Sequence, residues 1–125
     1  MIITIDFDSN EAFYIQLCNQ IICGIANEKI KEGDNLPSVR ELADNIGINM
    51  HTVNKAYTIL RQEGYLKVDR RKGAVISIRA DKYAALEELY DDLRILLAKA
   101  ACKGVSSEEV HQLVDKIFYD FTKLE

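Results

Sequence analysis

The stretch LPSVRELADNIGINMHTVNKAYTILRQEGYL, residues 36–66, places two short apolar periodicities on either side of a glycine corner. That arrangement narrows the folds open to the chain more than any other feature. Val39, Leu42, Ala43 and Ile46 share one helical face, and Val53, Ala56, Tyr57 and Leu60 share another at i, i+3, i+4 and i+7. Ser38 heads the first helix with Glu41 three residues on, the pattern of a capping box, and Gly47 stops it. Asn49 suits the cap of the next helix, which Gly64 closes. Two helices joined by so short a turn form a helix-turn-helix, in which the first braces the second. The other face of the second carries His51, Thr52, Asn54, Lys55, Thr58 and Arg61, a polar set free to point outward.

The residues beyond Gly64 fit that frame. Leu66–Asp69 and residues 74–78 read as two strands, with Arg70, Arg71, Lys72 and Gly73 forming the hairpin turn between them. Upstream, residues 12–30 show helical spacing, with Tyr14, Leu17, Cys18, Ile21 and Ile25 on one stripe and Gln16, Asn19 and Asn27 off it. The expected fold is mainly α with a small two-stranded β wing: a winged helix-turn-helix over residues 11–79. A polar helix of this kind suits the major groove, where side-chain donors and acceptors read base edges. The wing turn sits where an adjacent phosphate strand would run.

Net charge is −4, at first sight a poor match for nucleic acid. The deficit is local, however. Residues 1–79 hold ten Lys/Arg and ten Asp/Glu, whereas residues 80–125 hold six and ten. Within residues 50–79 seven basic side chains face only Glu63 and Asp69, a local +5, and local charge is what meets phosphate. Cys18, Cys23 and Cys102 are odd in number and scattered, which makes no disulfide framework, and with only His51 and His111 no metal site is expected. No serine–histidine–aspartate order, carboxylate pair or phosphate loop stands out, so neither catalysis nor a cofactor is expected. No apolar run approaches the ~20 residues of a membrane span, and Met1 to Asp8 lacks the pattern of a secretory signal. A cytoplasmic protein without membrane contact is the expectation.

Residues 80–125 change style. Leu86, Leu89, Tyr90, Leu93, Leu96 and Leu97 repeat at helical spacing on an acidic background. Ser106 and Glu109 form another capping box ahead of Val110, Leu113, Val114, Ile117, Phe118 and Phe121. The expectation is a helical hairpin whose last helix covers part of the leucine stripe and whose remainder is covered by a second chain. Residues 80–125 thus read as a dimerisation region.

The motif LPSVRELADNIGINMHTVNKAYTILRQEGYL followed by RRKGAVI resembles the winged-helix domain of GntR-type bacterial transcription regulators. The shared pattern runs leucine-proline-serine-x-arginine, leucine-alanine, a glycine turn, threonine-valine, then glutamate-glycine before a glycine-containing wing. The short tail and the opening DSNEAFYIQLCNQI resemble the YtrA-type group of that family. The resemblance implies that Arg40, beside Ser38 on the first turn of its helix, contacts DNA. It implies that the start of the third helix, Met50, His51, Thr52 and Asn54, reads the groove, that Ser38, Asn49 and Lys55 also bind DNA, and that Gly73 shapes the wing tip. It further implies a homodimeric repressor of a pseudo-palindromic operator, serving a transporter operon and its own gene. Asn49-Met50-His51 and Gly73-Ala74-Val75 depart from the family's common forms, so the operator sequence does not carry over, and the residues name no small-molecule effector. The competing reading is a winged-helix module that binds protein, with the acidic C-terminal helices as the contact surface.

Overall fold

A computed structural model describes residues 2–122. The chain divides into two compact units, Met1–Arg79 and Ala80–Glu125. The first holds α1 (Phe13–Ala26), α2 (Val39–Ile46), α3 (Met50–Gln62), β1 (Leu66–Asp69) and β2 (Gly73–Ile76); the second holds α4 (Lys82–Cys102) and α5 (Ser107–Thr122).

α1 is shorter than its periodicity suggests. Glu28 turns left-handed (φ 65°), and the Ile30 N–H donates to the Gly24 carbonyl at 2.9 Å, folding Ile30 back into the core. Sequence spacing cannot distinguish such a return from one more helical turn. The heads of the next two helices follow the capping chemistry. The Glu41 N–H donates to Ser38 Oγ at 3.1 Å, and the Ser38 N–H donates to a Glu41 carboxylate oxygen at 3.4 Å. Gly47 ends α2 in the left-handed region (φ 74°), and the His51 N–H donates to the Asn49 side chain at 2.7 Å. Val53, Ala56 and Leu60 of α3 are fully buried with Leu17 and Ile21 of α1, Leu42 of α2, and Leu66 and Ile76 of the wing. Each such side chain contributes on the order of 1.5–3 kcal/mol by leaving water. α3 is therefore the central element of this unit, and α1, α2 and β1 pack onto it.

β1 and β2 pair antiparallel, with Leu66 opposite Ile76 and Asp69 opposite Gly73. β2 runs from Gly73 to Ile76 rather than over residues 74–78, and its second edge is occupied. Gly33 N–H donates to the Ile76 carbonyl, Ile76 N–H to the Asp34 carbonyl, and Leu36 N–H to the Ala74 carbonyl, at 2.8, 2.8 and 2.9 Å. Residues 33–36 thus serve as a third edge of the wing. Past Ile76 the backbone is held group by group, the Ile78 N–H by the Glu32 carboxylate at 3.1 Å.

The N-terminal segment is held in an unusual way. Gln16 and Gln20 on α1 each take both backbone groups of one residue. Gln16 accepts from the Asp6 N–H (2.9 Å) and donates to the Asp6 carbonyl (3.1 Å); Gln20 accepts from the Thr4 N–H (3.1 Å) and donates to the Thr4 carbonyl (2.6 Å). Ile5 is buried between them, and Phe7 meets Phe13 edge-on with ring centroids 5.2 Å apart. Gln16, off the apolar stripe in the sequence, is consequently only 8% exposed. Its amide also donates to the Glu11 carbonyl at 2.9 Å, so the burial leaves it satisfied.

In the second unit Asp81 caps α4, accepting from the Ala84 N–H at 3.1 Å. Ser106 and Glu109 form the anticipated box, with Glu109 N–H to Ser106 Oγ at 3.1 Å and Ser106 N–H to the Glu109 carboxylate at 2.9 Å. That second bond holds the Glu109 carboxyl below its usual range. Neither helix contains a fully buried residue. Leu86 and Leu89 are 51% exposed, Leu96 58% and Leu97 39%, and only Leu93 and Ala100 of α4 are less open to solvent than these. The expected partial cover of this stripe by the last helix is not found. α5 is not laid along α4, and the packed element pairs all lie in the first unit.

Candidate nucleic-acid interface

The candidate residues fall into three places on the first unit. Ser38 and Arg40 stand on the first turn of α2, where Ser38 Oγ is already engaged by the Glu41 N–H and the Arg40 side chain is exposed. Asn49 caps α3, and Met50, His51, Asn54 and Lys55 are exposed along its first turns, with Thr52 half-buried. Arg70, Arg71, Lys72 and Gly73 form the exposed wing turn.

The structure brings parts of all three groups to one cleft of about 280 Å³. Ser38 lines it from α2, Asn54, Thr58 and Arg61 from α3, and Val68 and Gly73 from the wing. Below it the Tyr57 hydroxyl donates to the Pro37 carbonyl at 2.7 Å, tying α3 to the head of α2; burial, then the nearby Glu41 charge, push this phenol's pKa up. Thr58 donates to the Asn54 carbonyl within α3 at 2.9 Å, so its proton is committed and only its acceptor capacity is left for a ligand. Lys55 is drawn elsewhere: its Nζ lies over the Tyr14 ring of α1, 3.8 Å from the centroid. Such a cation–π contact is weak enough at an exposed site, about 0.5–1 kcal/mol, to yield to a phosphate.

Two positions that hold the wing turn are not among the residues the sequence singles out. Asp69 counted there only as a charge. Its Oδ1 accepts from the Arg71 N–H (2.8 Å) and the Lys72 N–H (3.1 Å), closing the wing turn. These two bonds, aided by Lys72 and Lys67, hold the Asp69 carboxyl below its usual range. An aspartate opening a short turn is a recognised local signal, so this role was legible. Asn35 gave no such signal: its side-chain amide donates to the Lys72 carbonyl, across 37 residues of sequence.

The candidate surface is chemically simple. It offers amide, imidazole and hydroxyl groups on one helix, guanidinium and ammonium groups beside them, and no grouping of three or more metal-ligating side chains among the described residues. No helix among the described residues is long and apolar enough to cross a membrane. Three helices, a hairpin behind the third and a basic turn beside its free polar face define a winged helix-turn-helix protein. The chain belongs to the gntR family of bacterial regulatory proteins, whose pattern it matches over residues 13–76. It is similar to the HTH-type transcriptional repressor YtrA of Bacillus subtilis (strain 168), at 35% identity over 121 residues, 94% of this chain and 93% of that one. A crystal structure of a transcriptional antiterminator from Listeria monocytogenes EGD-e superposes with a TM-score of 0.88 at 29% identity, covering 100% of this chain and 96% of that chain. AraR(DBD), solved in complex with operator ORE1, superposes with a TM-score of 0.51 at 25% identity over 58% of this chain and 89% of its own.

Proposed function

We propose that this chain is a DNA-binding transcriptional repressor, acting in the cytoplasm as a homodimer on an operator with twofold pseudo-symmetry. The observation that carries the reading is one cleft lined by Asn54, Thr58 and Arg61 of the outward face of α3 and by Gly73, the last residue of the basic turn. Met50, His51, Thr52 and Asn54 then meet base edges in the major groove. Arg40 with Ser38 and Asn49, Lys55 once released from Tyr14, and Arg70, Arg71 and Lys72 with Gly73 hold the phosphate strands. AraR, solved on an operator, supports DNA as the partner, and the relative named as a repressor supports the sign of regulation.

Dimerisation is supported by α4 and α5, which carry long apolar stripes and bury no residue. Leu86, Leu89, Tyr90, Leu96 and Leu97 are exposed, and with the half-buried Leu93 they need cover that the described residues do not supply. A second copy in twofold register is the commonest way to provide it. Two winged helices held in fixed relation would then read two half-sites.

Sedimentation of the full chain, combined with binding to a duplex selected from a random library, tests both parts. A micromolar dimer is expected, with affinity falling steeply and linearly in log-log form as salt rises. Leu93→Asp should give monomers that keep only weak, salt-sensitive binding, because it puts an unpaired charge in the interface. A wild-type monomer that binds its selected duplex tightly would refute the dimer, and the absence of salt-dependent binding would refute DNA as the partner.

A further inference from the structure

We infer that Asn35 is a positioning residue for the wing: its side-chain amide anchors the basic turn to the loop that leads into α2. It thereby fixes Arg70, Arg71 and Lys72 relative to Ser38 and Arg40. The inference rests on the DNA-binding reading above and deepens it.

A hairpin of two four-residue strands is marginal by itself, and its tip is the part with least to hold it. Residues 33–36 brace β2 from outside through a backbone ladder that reaches Leu36 N–H and the Ala74 carbonyl. There the ladder stops for a chemical reason. Alternate residues of such an edge face the neighbouring strand, so the next rung would fall to Ser38, whose N–H turns instead to the Glu41 carboxylate at the head of α2. The Asn35 amide reaches past this break to the Lys72 carbonyl.

Both backbone groups of Lys72 are therefore tied, in different ways. Its N–H goes to Asp69, which belongs to the hairpin and moves with it. Its carbonyl goes to Asn35, the tie anchored outside the hairpin. Losing Asp69 opens the turn itself. Losing Asn35 leaves the turn closed but lets the whole tip swing across the cleft that Ser38 and Gly73 share. Three long cationic side chains on a swinging tip must be ordered again at each binding event, and that ordering weakens the complex.

The test uses the full chain and a labelled 30-base-pair duplex of mixed sequence, with anisotropy followed across a salt series. Asn35→Ala should weaken binding about three- to ten-fold on any sequence, the loss expected for one hydrogen bond's worth of order. It should also make the log-affinity against log-salt slope shallower by about 1–2 units per protomer, at about 0.9 per phosphate contact. Its urea midpoint should match that of the wild type, and Asn35→Gln, which keeps the amide donor, should recover most of the affinity. Without DNA, amide exchange at Arg71, Lys72 and Gly73 should quicken in Asn35→Ala while that of Ile76 stays unchanged. Wild-type salt slope and tip exchange in Asn35→Ala would overturn the inference and leave the DNA-binding reading standing. A lowered urea midpoint without rescue by Asn35→Gln would overturn it too, as a merely structural role. A wild-type chain without salt-dependent binding would take down both readings.

Discussion

Gly64, at the corner between α3 and β1, should be among the least replaceable residues of the first unit. Its φ is 85°, and its carbonyl accepts from the Arg79 N–H at 2.8 Å. A Cβ there would sit 3.0 Å from Arg79 Cβ, 3.1 Å from Nε and 3.3 Å from Cζ. The Arg79 guanidinium also donates to the Gln62 carbonyl at 3.2 Å, at the C-terminal end of α3. Gly64→Ala therefore costs about 1–2 kcal/mol for a left-handed non-glycine residue. Displacing the guanidinium adds about 0.5–1 kcal/mol for its exposed hydrogen bond. The sum is about 2 kcal/mol. Urea denaturation followed through the Val53 and Leu60 amide resonances reads this unit alone, and the midpoint should fall by about 1–2 M at an unchanged slope. In an Arg79→Ala background the substitution should cost less, by about 0.5–1 kcal/mol, since only the backbone strain and the Cβ contact remain. A loss below about 0.5 kcal/mol would refute the strain argument. An equal loss in both backgrounds would refute the part assigned to Arg79.

Three further outcomes are expected. His51→Ala and Asn54→Ala should change which bases a selected-sequence profile prefers, at roughly 1–3 kcal/mol per good base contact, whereas Arg40→Ala should lower affinity on all sequences; an unshifted profile in both helix variants would remove that face from the groove. The folded-state carboxyl of Asp69 lies below its ordinary value of 3.8, so its hold on the wing turn is complete above that value. The hold fades as pH falls below that value and through the lowered one. Amide shifts of Arg71 and Lys72 should follow this titration, and a midpoint at or above 3.8 would refute the assignment. Cys18 is buried, its thiol bonded to the Ala56 carbonyl at 3.6 Å and its pKa pushed up by burial and then by Glu63, while Cys23 and Cys102 are exposed. A thiol reagent should thus modify two cysteines at once and the third only on unfolding; three fast reactions would contradict the packing of α1 on α3.

Much of the first unit was legible because its signals are local. The Ser38–Glu41 box, the Asn49 cap and the Val53, Ala56, Tyr57, Leu60 face each depend on residues within one or two turns. β1 likewise begins and ends where alternation places it. What escaped depends on contacts between distant segments. Nothing near Gln16 foretells that residues 4–6 will cover it, and nothing near Asn35 foretells the Lys72 carbonyl. The same holds for Lys55, whose ammonium lies over an aromatic ring 41 positions earlier, at Tyr14. In the second unit the apolar stripes were plain in the sequence, but periodicity says which face needs cover and not which surface provides it.

The two glutamines that hold the N-terminal segment amount to a mismatch between two lattices. Residues four apart on a helix stand about 6.0 Å apart along its axis. Residues two apart on an extended strand stand about 6.4–6.8 Å apart. One step brings the two repeats close enough for both Gln16 with Asp6 and Gln20 with Thr4 to close their paired bonds. A second step doubles the error to roughly 1 Å or more, beyond what hydrogen-bond distances absorb. The next rung would join position 24 to Ile2. Position 24 is glycine, with no side chain to offer, and Ile2 is 94% exposed. A helix can thus act as a template for a strand, but only as a vernier scale reads: the marks coincide briefly and then drift apart. The pairing of this segment with α1 thus ends after two rungs, through the drift between the two repeats and the missing side chain at Gly24.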